Sequence, residues 1–209
     1  MPEVKPVVRL GKGCVVDVGV LLGYPASRGE NIDTVTIGDG ARIRSGTVIY
    51  GGVKVGDNLQ TGHNVVIREE NEIGDGLSIW NNSVIDYGCK IGNGVKIHCN
   101  CYIAQFTVIE DCAFLAPGVM VTNDYHPGCK FSLECMHGPR IGKRAQIGAN
   151  VTIIPFIDIG EHCLVGGGST VTKDLPPYSL AYGNPAKVVG DVRDLTCATG
   201  RTDKPYGKL

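Results

Sequence analysis

The sequence has no surplus of either charge: 20 Lys and Arg stand against 21 Asp and Glu, a formal net charge of −1. That balance argues against a nucleic acid or an acidic membrane held by bulk charge. No stretch approaches the roughly 18 uninterrupted apolar residues of a membrane-spanning helix. The opening MPEVKPVVRLGKG lacks the apolar core of a signal peptide, so a cytoplasmic location is expected. No Walker-type loop and no dinucleotide fingerprint occur. Aromatics are scarce, at 6%, while glycine (30) and proline (11) are plentiful, which fits a turn-rich, all-β chain. Nine cysteines in an unexported chain read as thiols rather than as a disulfide framework.

What is present is a beat of six. From Ile37 to Val121, stepping by six, fourteen of fifteen residues are aliphatic, Thr61 being the exception. Two residues before each of them no position is charged. Residues two apart on a strand point the same way, so both sets face one interior. Three residues after, eleven of fifteen are Gly or Asn, the types that tolerate a left-handed corner. Each hexad is therefore a short strand plus a corner. The period is wrong for an amphipathic helix and right for a β-helix. With Leu10, Val16 and Leu22 before, and Ile141 to Val171 after, the count is 24 hexads, or eight three-sided coils. At about 4.8 Å per stacked strand the column stands roughly 38 Å tall. Two interruptions, residues 23–36 and 122–140, each fall after a third side and so bulge from one edge. The expected organisation is a β-helix domain over 1–190 and a polar tail over 191–209, with DVRDL forming a short helix. Cys14, Cys89, Cys101 and Cys163 sit two before the beat and are expected to fill narrow interior volume.

The motifs VTIGDGARI, VKVGDN, NEIGDG and CKIGNGVKI, with the ending GANVTIIPFIDIGEHCLVGGGSTVTKDLPPYSLAYGNPAKVV, resemble the hexapeptide-repeat acyltransferases. The resemblance runs from about residue 8 to 190. It implies a left-handed parallel β-helix, an acetyl-CoA co-substrate lying in a groove between neighbouring columns, and a homotrimer. LQTGHNVVIREE and MVTNDYHP look most like the members that acetylate an amine of a nucleotide-linked amino sugar. An O-acetyltransferase of a sugar or small alcohol is the near alternative. A zinc-dependent, carbonic-anhydrase-like β-helix is the distant one.

Acyl transfer from a thioester needs a base for the nucleophile and donors for the oxyanion. His126, in the second interruption, is the first candidate base, and His63, on a regular corner, is its rival. Asp124 can orient His126 or meet an acceptor amine; alternatively it caps the loop. Asn82 and Asn100 stack eighteen residues apart with Asn64, as a polar strip for the acceptor or as a self-satisfied amide ladder. Glu69 and Glu70 read as a solvated corner pair or, alternatively, as substrate contacts, and His98 as ordinary surface. Cys129, Cys135 and His137 can join His126 around zinc, pair as a disulfide, or stay free; the spacing matches no standard finger, so no metal ligand is assigned. By resemblance, the backbone around Gly148, Ala149, Gly166, Gly167 and Gly168 lines the pantetheine arm. Lys173 meets a coenzyme phosphate, and Asn184, Pro185 and Lys187 hold the adenine end. Phe156 and Gly167 stand where many members of the family carry Gly and Ala.

Overall fold

The computed structural model describes residues 6–28 and 34–206. Within them the chain winds a left-handed parallel β-helix whose three sides are sheets of eight, ten and eight strands. The first coil places Val7–Leu10 on side one, Val15–Val16 on side two and Leu21–Tyr24 on side three; Thr34–Ile37 returns to side one. Residues eighteen apart pair along each side, as in Ile73, Ile91 and Ile109. Eight coils result, as the count of hexads requires.

The aliphatic beat forms the interior. Ile43, Ile79, Ile85, Ile97 and Leu115 are fully buried. Between them small polar side chains and thiols satisfy carbonyls that the corners turn inward. Ser83 Oγ donates to His98 O at 2.7 Å. Cys89 and Cys101 Sγ donate to Ala104 and Ala116 O, each at 3.2 Å. Their thiols therefore do more than fill space. In the first coil Leu10 and Val16 hold the same beat positions but are exposed, because each pairs on one side only.

Except where an excursion or the last coil follows, at Pro25, Asp124 and Asp174, each corner turns through positive φ at the third residue after the beat. Asn58, Asn64 and Asn82 lie at 60°, 56° and 59°, and so do Glu70 at 61°, Phe106 at 62° and Phe156 at 61°. At corner one, between sides one and two, a carboxamide or carboxylate ladder accepts from the coil below. Asp39 N–H donates to Asp57 Oδ1 at 2.7 Å, Asp57 N–H to Asp75 at 2.8 Å and Asp75 N–H to Asn93 at 2.9 Å. The preceding glycine is obligatory there: a Cβ on Gly56 would lie 2.1 Å from Asp75 Oδ1.

The structure departs from the sequence expectation in the excursions and at the C-terminal end. Strand structure reaches Tyr24 and resumes at Thr34, so the first excursion is shorter than 23–36, and residues 29–33 of it lie outside the described residues. The second excursion contains a helical turn, Ser132–Cys135. Beyond Val171 a ninth, partial coil forms. Leu175 bridges Ile159 and Ala181 pairs with Val165, a step of sixteen residues rather than eighteen. Ser179–Gly183 then turns back antiparallel into Ala186–Asp191, which runs across the expected limit at 190. A 3-10 turn, Val192–Asp194, follows where DVRDL predicted a short helix. No helix among the described residues is long and apolar enough to cross a membrane.

Candidate active site

The predicted site residues fall on two edges of the column. Corner two, between sides two and three, carries His63, Asn82, Asn100, Gly148, Ala149, Gly166 and Gly167. Here the amide ladder is real: Asn64 Nδ2 donates to Asn82 Oδ1 at 3.3 Å, and Asn82 Nδ2 to Asn100 Oδ1 at 3.4 Å. His63 is exposed; its N–H reaches Asn81 Oδ1 at 2.8 Å and its Nδ1 lies 2.9 Å from Ser45 Oγ. Beside it on side two the His98 ring contacts Phe114 at 4.9 Å and Trp80 at 6.5 Å, so His98 belongs to an aromatic patch.

Farther up the same edge the corner becomes bare backbone. Cβ atoms on Gly148 and Gly166 would lie 2.5 Å from Gly167 N and 2.9 Å from Tyr182 Cβ, so close stacking demands glycine. Ala149, Gly167 and Gly168 remain exposed, leaving a smooth strip against which a thin chain can lie. The hairpin that holds Asn184, Pro185 and Lys187 extends side two above this strip, with a cis Asn184–Pro185 peptide. Gly183 N–H anchors it to Ser169 Oγ at 3.0 Å. Lys173 is not brought to this strip: it is exposed at the shortened turn after side three, on the third edge.

Corner three, between sides three and one, carries both excursions. Asp124 Oδ1 accepts the His126 N–H at 2.8 Å and Oδ2 accepts from the Ser132 hydroxyl. Those two bonds, the Ser132 bond first, hold the Asp124 carboxyl below its ordinary range. His126 is exposed at this turn. The rings of Tyr125 and His137 stack on Phe156 at 5.5 and 5.0 Å, tilted by only 2° and 14°, which ties the loop to the next coil. All nine cysteines, Cys129 and Cys135 among them, are free thiols. Among the described residues no three His, Cys, Asp or Glu side chains converge as metal ligands.

Beneath the loop lies a cluster that sequence reasoning missed. Glu69 is not part of a solvated pair: it is completely buried, while Glu70 beside it is exposed. Arg68 grips it twice, at 3.1 and 3.0 Å, and Arg28 Nε stands 3.5 Å away with its guanidinium 3.3 Å above the Tyr87 ring. Arg68 also pairs with Asp86 at 3.1 Å. Tyr102 OH and Gln105 Nε2 both donate to Asp86 Oδ2 at 2.6 Å. Burial and the Asp86 carboxylate raise the Tyr102 pKa, so its phenol stays a neutral donor. The signal was available, because Arg68 and Asp86 are eighteen apart, and so are Gln105 and Asn123.

The chain matches the family model described as bacterial transferase hexapeptide (six repeats) over residues 34–69, 88–123 and 138–173, about half its length. It is 52% identical over 56 residues to a dTDP-3-amino-3,6-dideoxy-alpha-D-galactopyranose 3-N-acetyltransferase of Aneurinibacillus thermoaerophilus, covering 27% of this chain and 29% of that protein. It is 35% identical over 97 residues to the galactoside O-acetyltransferase of Escherichia coli K12, covering 44% of this chain and 48% of that protein. The match thus spans under a third of the first relative and about half of the second. A solved UDP-N-acetylglucosamine acyltransferase from Bacteroides fragilis 9343 shares the fold, with a TM-score of 0.70 at 20% identity over 91% of this chain and 74% of that one.

Proposed function

Because the chain belongs to the bacterial hexapeptide transferase family, we propose that it is an acetyl-CoA-dependent acetyltransferase acting on an amine of a nucleotide-linked amino sugar. The observation that carries the reading is the interruption of a regular column by one loop that holds an exposed histidine in a fixed turn. A column without excursions has smooth faces; the loop provides a wall for a reaction chamber.

In this reading the pantetheine arm lies along the bare backbone at Ala149 and Gly167, and the hairpin at Asn184, Pro185 and Lys187 takes the adenine end. The acceptor amine attacks the thioester carbonyl carbon. The C–N bond forms, and His126 accepts the ammonium proton directly or through water. Backbone N–H groups stabilise the oxyanion. The C–S bond then breaks, and the coenzyme thiolate leaves and takes the proton. His126 and the glycine strip occupy different edges, so the complete site combines the loop of one copy with the strip of another, which accords with a homotrimer. Asn82 and Asn100 face the acceptor only through groups left over by their ladder. His63 is the second candidate base.

The identity with a sugar 3-N-acetyltransferase favours the amine; the longer match to a galactoside O-acetyltransferase keeps sugar hydroxyls as the second reading. The test is thiol release from acetyl-CoA with a panel of nucleotide-linked amino sugars. Release with an amino sugar and a product that resists hydroxylamine identifies an amide. A hydroxylamine-labile product supports the ester. No acceptor-dependent release from any sugar refutes both.

A further inference from the structure

Corner three buries ionised side chains where the fold does not require them, since corners one and two satisfy their backbone with simple ladders. Glu69, Asp86 and Asn123 are only 0%, 4% and 8% exposed. Buried charge is costly unless its lone pairs and protons are met. Here they are met. Asp86 Oδ1 accepts the Tyr87 N–H at 2.8 Å and pairs with Arg68 at 3.1 Å. Its Oδ2 accepts from Tyr102 and Gln105.

The bonds have a direction. An ionised carboxylate can only accept, so Gln105 must turn its NH2 toward Asp86 and its oxygen away. That oxygen accepts from Asn123 Nδ2 at 2.7 Å. Asn123 is the root of the second excursion: its own carbonyl accepts the His137 N–H at 2.9 Å, which closes the loop, and the next residue, Asp124, holds His126. At the far end Arg68 also holds Glu69, to which Arg28 of the first excursion is paired. Both excursions are thus fastened to one ion cluster.

We propose that Gln105 and Asn123 are positioning residues that carry the polarity of the buried Asp86 carboxylate into the root of loop 122–140 and so aim His126. The kinetic consequence rests on the acetyltransferase reading; the mechanical one rests on these bonds alone.

The test is Gln105→Met, which keeps the length of the side chain and removes both bonds. Amide hydrogen exchange in residues 123–137 should accelerate at least about tenfold, while the remaining coils keep wild-type rates. In the transferase assay kcat should fall about tenfold or more, with KM for acetyl-CoA within twofold, since the coenzyme strip lies on another edge. Gln105→Glu sets two carboxylates face to face and should behave at least as badly. Adding Asp86→Asn to it restores one donor and one acceptor at that contact and should recover loop protection and kcat. Unchanged exchange and unchanged kcat in Gln105→Met overturn the proposal. So does exchange that rises along the whole column, which marks general destabilisation. If no acceptor is ever acetylated, the functional reading fails, and the exchange result alone decides this inference.

Discussion

His126 and the glycine strip lie on different edges of one column, and a mixing experiment tests whether separate copies supply them. They lie at opposite edges of side three, separated by about one hexad of extended chain, at most roughly 20 Å. Two variants disable one edge each. His126→Ala removes the proposed base and should cost at least about a hundredfold in kcat. Ala149→Trp places an indole on the exposed strip and should abolish use of acetyl-CoA. Each variant alone should be nearly inactive. In a ring of three copies, each interface needs an intact loop from one copy and an intact strip from its neighbour. Random assembly from equal amounts supplies each with a chance of one half, so about one quarter of interfaces are complete. Thiol release by reassembled mixtures should therefore recover to about a quarter of the wild-type rate. Mixed assemblies, verified by native mass spectrometry, that are no more active than their parents would refute the two-copy site.

Ile85→Ala, at a fully buried beat position, should destabilise by about 2–5 kcal/mol in urea titrations. Phe156→Gly relieves a left-handed corner but removes the surface on which Tyr125 and His137 stack; the column should melt close to wild type while kcat falls severalfold. His162 has a buried Nδ1 with no partner among the described residues and a ring stacked 5.0 Å from Tyr178. Burial chiefly lowers its pKa; Arg144 and Lys143 act in the same direction and Glu161 opposes them. As pH falls through about 6.5 the unfolded chain gains a proton that the folded chain resists, so stability should drop, and His162→Gln should flatten that part of the pH profile of the melting temperature. Burial pushes the Cys89 thiol up to about 12, whereas the Thr199 hydroxyl and neighbouring N–H groups bring Cys197 down to about 7. A disulfide reagent at neutral pH should modify Cys197 well before Cys89, Cys101 or Cys163, as read by peptide mass mapping.

The interior was legible because it obeys a rule. A buried aliphatic must recur wherever a side of the prism recurs, and so the number of coils, the sides and the edge from which the excursions leave could all be counted. The ninth coil escaped the count because its turn is two residues short, which moves Leu175 and Ala181 off the beat. The buried thiols were placed, but their role as donors to inward carbonyls depends on where corners turn those carbonyls, and a period of six does not say. The ion cluster was hidden for a different reason. Adjacent Glu69 and Glu70 read as solvated by composition; only the step of eighteen sets Arg68 against Asp86 and Gln105 against Asn123.

The backbone turns all three corners through the same left-handed geometry, and the residues that bear it differ from edge to edge. A left-handed corner costs an ordinary L-residue about 1–2 kcal/mol, a cost that glycine avoids and asparagine largely does. Corner two uses only those residues, whereas corner one also turns at Cys112, Arg144, His162 and Tyr178. Glu70, Phe106 and Phe156 accept the strained geometry at corner three. Phe106 meets Tyr87 edge-on at 5.4 Å, beside the Arg28 guanidinium, and Phe156 carries Tyr125 and His137. Both aromatic rings flank the root of the second excursion, one coil below it and one coil above. Phe156 is covered by rings of the second excursion, whereas Phe106 packs on Tyr87 of the column itself.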